Sequence, residues 1–100
     1  MLVLAGSLRI DPAKRNEVLA VTIELMHGTR ERPGCISFFC SADLEDSGVL
    51  HFFQEWESPQ ALERHIREPR VGAARVALGS LGVREIAVER YAIQSVGPIV

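Results

Sequence analysis

The stretch Phe53-Gln-Glu-Trp-Glu-Ser-Pro-Gln-Ala-Leu-Glu-Arg-His-Ile-Arg-Glu-Pro69 contains a complete strand-to-helix transition. Its first residues, up to Trp56, complete the β-rich run Val49–Glu57 with two large aromatic side chains, and they predict the end of a β-strand. Ser58-Pro59 predicts a helix start, because serine caps free backbone N–H groups and proline suits the first helical position. The helix is interrupted before Pro69, because the residue preceding proline avoids the helical conformation. The segment therefore brings Trp56 and His65 close together where the strand meets the helix.

Capping residues, prolines and glycines divide the rest of the chain in the same way. Four predicted strands cover residues 2–10, 35–42, 49–57 and 83–92. Three predicted helices cover residues 13–32, 58–68 and 71–78. The first helix, like the second, follows a capping residue and a proline, Asp11-Pro12. The order β-α-β-β-α-β predicts an α+β, ferredoxin-like split βαβ fold in a single domain over residues 1–100.

The third predicted strand carries apolar residues on both faces. Phe52 and Trp56 lie on one face, and Phe53 lies on the other with His51 and Glu55. Helices of this fold cover only one face of the sheet, so the other needs a second cover. A homodimer that packs sheet against sheet is the simplest solution, and His51 is then expected at the interface or in a structural role.

Composition excludes several classes of partner. The chain has 100 residues and a net charge of -2, with acidic and basic residues interspersed, so no basic stripe is present to bind nucleic acid. Residues 1–10 are largely apolar, but Arg9 and Asp11 come too early for a secretory signal or a membrane-spanning helix. We therefore expect a cytoplasmic protein with no nucleic-acid or membrane partner.

No disulfide or metal site is expected from the sequence. Cys35 and Cys40 are five residues apart in one predicted strand, which places them on opposite faces as small buried hydrophobic residues. The three histidines and the scattered carboxylates do not converge at ligand spacing. The glycine-rich and nucleophile motifs of nucleotide-binding enzymes and serine hydrolases are also missing.

Two motifs together resemble a known family. Arg32-Pro-Gly-Cys-Ile-Ser37, followed after a loop by the 53–65 segment, resembles the antibiotic biosynthesis monooxygenase (ABM) domain family, with its PGC-type strand start, E-W-x-S segment and A-L-x-x-H helix. The resemblance implies a ferredoxin-like protomer paired into a dimeric α+β barrel. Family members include small oxygenases and quinol oxidases without metal or flavin, haem-degrading enzymes, and an isomerase of a phosphorylated sugar derivative.

Departures from the family pattern narrow the expected chemistry. Many of its enzymes have a Pro-His pair where this chain has Pro69-Arg70, which weakens the quinol-oxidase and isomerase interpretations. Haem-degrading members have an asparagine where Ser7 stands, a tryptophan where His65 stands and a haem-ligating histidine where Arg75 stands. We therefore set haem degradation aside.

The resemblance implies a cofactor-independent monooxygenase or oxidase that uses dioxygen on an electron-rich aromatic, such as a polycyclic phenol, anthrone or quinol. His65 is the catalytic candidate, because an imidazole with a reference pKa of about 6.5 can accept a phenolic proton or hold the phenolate by a hydrogen bond. The alternative for His65 is a hydrogen-bonded packing residue, since it follows Leu62 by one helical turn.

The substrate-binding candidates are four aromatic residues and one arginine: Trp56, Phe52, Phe39, Tyr91 and Arg75. Trp56 also fits a purely structural role in the core, and Arg70 and Arg75 also fit a solvated helix face. Two other functions stay open. One is a non-catalytic dimeric binding or stress-related module, and the other is an isomerase-like protein that binds a phosphate through Arg70 or Arg75.

Overall fold

A computed structural model describes residues 1–100 and contains one four-stranded antiparallel sheet with strand order β2-β3-β1-β4. The strands are β1 Leu2–Arg9, β2 Cys35–Ala42, β3 Val49–Trp56 and β4 Arg84–Ala92. The helices are α1 Arg15–Arg30, α2 Pro59–Ile66 and α3 Pro69–Ser80, and a 3-10 turn at Pro12–Lys14 precedes α1. The predicted α+β, ferredoxin-like order is confirmed.

Capping side chains act near both predicted helix starts, but Asp11 caps the 3-10 turn, and α1 itself begins at Arg15 without a side-chain cap. Asp11 Oδ1 accepts a hydrogen bond from the backbone N–H of Ala13 at 2.9 Å, and Ser58 Oγ accepts one from Ala61 at 3.2 Å. Pro69 interrupts the helical path after α2, as predicted, but it also occupies the first turn of α3. The third helix therefore begins two residues earlier than the sequence pattern indicated.

The sheet has two distinct faces. Leu2 pairs with Trp56, and both pack against Ala61 and Leu62 of α2, which defines the helix face. The alternate residues, including Phe53 and its neighbours on β1 and β2, lie on the opposite side, which we call the open face. No helix of the chain is both long enough and apolar enough to span a membrane.

A bulge in β2 changes the predicted positions of the cysteines. Cys35 pairs with Trp56 and Ser37 with Glu55, so Ile36 is an extra residue in β2. Beyond the bulge Cys40 pairs with Phe52, which puts it on the same helix face as Cys35. The prediction that the two thiols lie on opposite faces was wrong, because it assumed uninterrupted alternation. Both cysteines are free and partly buried.

A second bulge lies in β4 opposite Gly6. The pairing between β1 and β4 shifts between Ala5 and Ser7, and Ala87 has a positive φ of 48°. A Cβ atom at Gly6 would lie 2.7 Å from the Cα of Val88, so only glycine fits beneath the bulge. The bulge turns Val88 toward the helix face, whereas Ile86 pairs with Ser7 on the open face.

The core of the helix face consists of two separate clusters. Leu2, Trp56, Ala61 and Leu62 form one of them, at one end of the central strands. Ile10, Val18 and Leu50 form the other, at the opposite end. The middle of β1 and β3 lies between them and is not filled by either cluster, which leaves room for a cavity.

The open face exposes aromatic side chains and a hydrogen-bonded series of three polar side chains, Ser7, His51 and Asp43. Phe39 is 57 %, Phe53 38 % and Tyr91 46 % exposed. His51 Nε2 lies 2.7 Å from Asp43 Oδ1, and its Nδ1 lies 2.8 Å from Ser7 Oγ. Because the carboxylate can only accept, Nε2 carries the proton that it donates to Asp43. His51 thus connects β1, β3 and the loop after β2.

Candidate functional site

A cavity of about 170 Å³ lies between the helix face of the sheet and the helices. Its lining is mostly apolar and includes Leu4, Phe52 and Val88 from the sheet and Leu62 and Val71 from the helices. Gln54 and His65 bring polar atoms into this lining. An apolar cavity with few polar groups is typical of a small-molecule site.

His65 enters the cavity from the last turn of α2 and is only 4 % exposed. Its ring packs against the indole of Trp56, with ring centroids 4.8 Å apart and an angle of 32° between the planes. Trp56 and His65, which are close together in the sequence, are therefore also in contact in the structure.

The surroundings of His65 keep its imidazole neutral. Burial is the main reason that the pKa of His65 falls from its ordinary 6.5 to about 4. The positive charge of Arg70 contributes to this lowering, and the negative charge of Glu68 opposes it. Nδ1 is buried without a hydrogen-bond partner. A proton on Nε2 avoids burying an unpaired N–H at Nδ1, so the favoured tautomer is an Nε2–H donor.

Gln54 is a polar cavity residue that was not among the predicted site residues. Its side chain is buried, and Oε1 accepts a 2.9 Å hydrogen bond from Trp56 Nε1. The signal in the sequence was the position of Gln54 two residues before Trp56, which places both on one face of β3. The hydrogen bond, however, depends on side-chain geometry that the alternation does not specify.

Trp56 does not line the cavity. It is fully buried in the core cluster with Leu2, Ala61 and Leu62, behind His65 and Gln54. Its position thus favours the structural role over a pocket wall. Phe52, two positions before Gln54 on the same strand, lines the cavity.

Phe39 and Tyr91 do not join this pocket, contrary to the expectation that they line it with Trp56. Phe39 pairs with Phe53 and Tyr91 pairs with Val3, and these partners lie on the open face. The sheet separates them from His65. The sequence did not specify the register that sends these two side chains to the other face.

The two arginines have different positions. Arg75 lines the cavity, and its Nη2 lies 3.6 Å from Glu85 Oε1 in an ion pair whose side chains are both more than half exposed. Arg70 lies outside the cavity lining, where its Nε donates to Glu68 Oε2 at 2.9 Å and its Nη1 donates to Thr29 Oγ1 at 3.3 Å. Arg70 therefore acts on His65 through its charge.

No three histidine, cysteine, aspartate or glutamate side chains come together in a geometry that could hold a metal ion. The polar groups of the cavity lining are the imidazole of His65 and the amide of Gln54, with the Arg75–Glu85 ion pair, the Thr22 hydroxyl and the Cys40 thiol. Such a site can bind an aromatic ring in its apolar part and donate hydrogen bonds to an oxygen on that ring.

Comparisons with known proteins agree with this architecture. A Deinococcus radiodurans structure described as a candidate antibiotic biosynthesis monooxygenase superposes with a TM-score of 0.92 at 23 % identity, over 100 % of this chain and 99 % of that chain. Rv0793 from Mycobacterium tuberculosis superposes with a TM-score of 0.85 at 25 % identity, over 97 % of this chain and 98 % of that chain.

Sequence comparison agrees with the structural one. The uncharacterized protein sll1783 of Synechocystis sp. is 35 % identical over 69 residues, which are 68 % of this chain but only 46 % of that protein. The profile of the family described as antibiotic biosynthesis monooxygenase matches residues 1–77, and this range includes β1 to β3, the Trp56–His65 segment and most of α3. The chain therefore belongs to the antibiotic biosynthesis monooxygenase family.

Proposed function

We propose that the protein is a small cofactor-independent monooxygenase or oxidase of an electron-rich aromatic such as a polycyclic phenol, anthrone or quinol. The observation that carries the proposal is the apolar cavity into which His65 and Gln54 bring their polar groups. Membership of the family supports the same reaction class.

The substrate supplies the electrons in this reaction. An anthrone, for example, ionises to an electron-rich anion that passes one electron to dioxygen, and the resulting radical and superoxide combine in a C–O bond. Protonation gives a hydroperoxide, and loss of water leaves a new carbonyl, so that a CH₂ group and O₂ become C=O and H₂O. The protein contributes positioning, exclusion of water and stabilisation of the anionic oxygen.

His65 would act mainly as a hydrogen-bond donor. With a pKa of about 4 it is a weak base at neutral pH, so it does not hold a phenolic proton well. Its neutral Nε2–H can instead stabilise the phenolate oxygen. A neutral imidazole that stabilises a negative oxygen is an established arrangement in enzymes.

Other parts of the proposed site follow from their positions. Phe52 would contact the aromatic ring, and Arg75, near the surface, would attract an anionic substrate. Phe39 and Tyr91 would belong to a homodimer interface, because with Phe53 they give the open face an exposed aromatic surface. Such a dimer would pair the two sheets face to face.

A second candidate function is a dimeric module that binds a small aromatic without turnover. It is favoured by the absence of a second imidazole from the cavity lining, where the carboxylate of Glu85 is already paired with Arg75. The isomerase-like alternative has less support, because Arg70 lies outside the cavity lining and is paired with Glu68, which leaves Arg75 as the cation available for a phosphate there.

The decisive experiment measures dioxygen consumption with a panel of anthrones, naphthols and quinols, in the presence of a chelator and without flavin. We expect uptake with at least one substrate, incorporation of an ¹⁸O label from O₂, and strong loss of rate in His65→Ala. His27→Ala is the matched control, because His27 is exposed on α1. Binding without uptake would establish the non-catalytic module, and unchanged rates in His65→Ala would remove His65 from the mechanism.

A further inference from the structure

Gln54 is held in one orientation by Trp56. An indole N–H can only donate, so the amide oxygen of Gln54 must be the atom that faces Nε1 at 2.9 Å. The side chain of Gln54 is 8 % exposed and that of Trp56 is fully buried, which protects this hydrogen bond from water. The amide cannot rotate by half a turn without losing it.

The fixed orientation leaves the NH₂ group of Gln54 unused. The hydrogen bonds of the chain do not employ it, and it is not one of the fully buried groups without a partner. Because Gln54 lines the cavity, this NH₂ group is available to a molecule bound there. An unpaired donor beside a mostly apolar cavity is satisfied only when a ligand or water supplies an acceptor.

His65 offers a second donor to the same cavity. Its Nδ1 is buried without a partner, so Nε2 is the nitrogen that a ligand can reach. The indole ring of Trp56 supports His65 by stacking and Gln54 by its hydrogen bond. One buried residue thus positions both polar groups.

We propose that Gln54 is the specificity-determining residue of the cavity, and that its NH₂ group donates a hydrogen bond to a phenolate or carbonyl oxygen of the bound aromatic. The inference rests on the proposed aromatic ligand and narrows its class. A ligand must carry an acceptor oxygen on the edge of the ring that meets Gln54 and His65. An aromatic hydrocarbon of equal size leaves the donor unpaired and is rejected.

The test compares two ligands of similar shape, 2-naphthol and 2-methylnaphthalene, by equilibrium dialysis against the full-length protein. We expect the protein to prefer 2-naphthol by up to about tenfold, which is the upper end of the usual effect of one hydrogen bond between neutral partners. Gln54→Met keeps the length of the side chain but has no donor, and it should reduce this preference by up to about tenfold. Affinity for 2-methylnaphthalene should change little.

Gln54→Asn is the second variant, in case Gln54→Met does not fold. Asparagine keeps an amide on a side chain that is one methylene shorter, so the NH₂ group lies farther from the ligand. This variant should therefore also lower the preference for 2-naphthol. An unchanged preference in the folded variants would overturn the proposal.

A second measurement uses the parent protein. Hydrogen bonds from Gln54 and His65 should lower the pH at which bound 2-naphthol ionises, followed by the absorbance of the naphtholate, whereas a cavity without donors should raise it. A rise would overturn the proposal. Discrimination without any oxygen uptake would sustain the role of Gln54 while removing the oxygenase function, so the two failures are distinguishable.

Discussion

The indole of Trp56 lies against the imidazole of His65, with ring centroids 4.8 Å apart and an angle of 32° between the rings. This contact joins the last residue of β3 to the last turn of α2. Glu57 and Ser58 join the two elements, and the contact between the rings links the end of the strand to the far end of the helix. Trp56 is thus more important as a support for polar groups than as a surface for substrate.

Trp56→Phe separates the ring contact that Trp56 makes with His65 from the hydrogen bond that it donates to Gln54. Phenylalanine keeps an aromatic ring beside His65 but cannot donate to Gln54, whose amide becomes free to rotate. We expect a loss of roughly 1–2 kcal/mol in the free energy of unfolding, from one buried hydrogen bond and a smaller ring. Urea unfolding followed by circular dichroism measures it. Preference for 2-naphthol should fall together with stability, and retention of the full preference would show that Trp56 does not orient Gln54.

The low pKa of His65 predicts a pH-dependent stability. In the unfolded chain the imidazole takes up its proton near pH 6.5, whereas in the fold it does so only near pH 4. Between these values the unfolded state binds more protons, so the free energy of unfolding should fall as the pH is lowered from about 7 to 4. The full loss is on the order of 3 kcal/mol, since one pKa unit corresponds to about 1.4 kcal/mol.

His65→Leu is the control for this titration, and it should show a flatter stability profile between pH 7 and 4.5. Asp43 and Asp46 also have lowered pKa values, because hydrogen bonds to His51 and to the Gly48 backbone, respectively, favour their charged forms. Their contributions are lost at lower pH, as the carboxylates protonate. If the free energy of unfolding falls equally steeply with pH in the parent and in the leucine variant, His65 is not the group that causes the pH dependence.

Gly6→Ala should destabilise the protein although it adds only a methyl group. The new Cβ would meet the Cα of Val88 at 2.7 Å, and neither strand can yield without breaking the bulge in β4. We expect a cost of about 1–3 kcal/mol, typical of overpacking, measured as a lower midpoint in thermal unfolding. Gly72→Ala is the matched control, because a Cβ there meets nothing within 4 Å. That change should be neutral or stabilising, because alanine is a better helix former than glycine at this exposed position in the first turn of α3.

Phe53→Asp tests whether the open face forms a homodimer. A charge among Phe39, Phe53 and Tyr91 should prevent a second sheet from packing there, so the variant should run as a monomer in light scattering coupled to gel filtration. Val76→Asp is the matched control, because Val76 is 71 % exposed on α3, away from the sheet. If the parent is already monomeric, or if both variants keep its mass, the open face is not the interface.

Local signals in the sequence predicted much of the fold. Asp11 and Ser58 each cap a backbone N–H within three residues, so their effect does not depend on the rest of the chain. Strand order is a different kind of property. The β-α-β-β-α-β order of the elements predicted the ferredoxin-like arrangement and the family resemblance agreed with it, whereas the alternation of apolar residues did not specify which strands are neighbours.

The predicted site was less accurate because it depended on register. Phe39 and Tyr91 were expected beside His65, but their pairing with open-face residues places them across the sheet. Extra residues at Ile36 and near Ala87 reverse the alternation within β2 and β4, and nothing in the sequence pattern marks these bulges. Gln54 was overlooked because its role comes from a side-chain hydrogen bond to Trp56.

The bulge at Ile36 also brings a thiol to the cavity, because it turns Cys40 toward the helix face. A site that activates dioxygen would generate superoxide and peroxide close to this sulfur. Burial raises the pKa of Cys40, so the side chain stays a protonated thiol, a form that peroxide oxidises slowly. The surroundings of Cys40 would therefore give the protein resistance to its own by-products, visible in mass spectrometry as Cys40 that remains unoxidised through many turnovers.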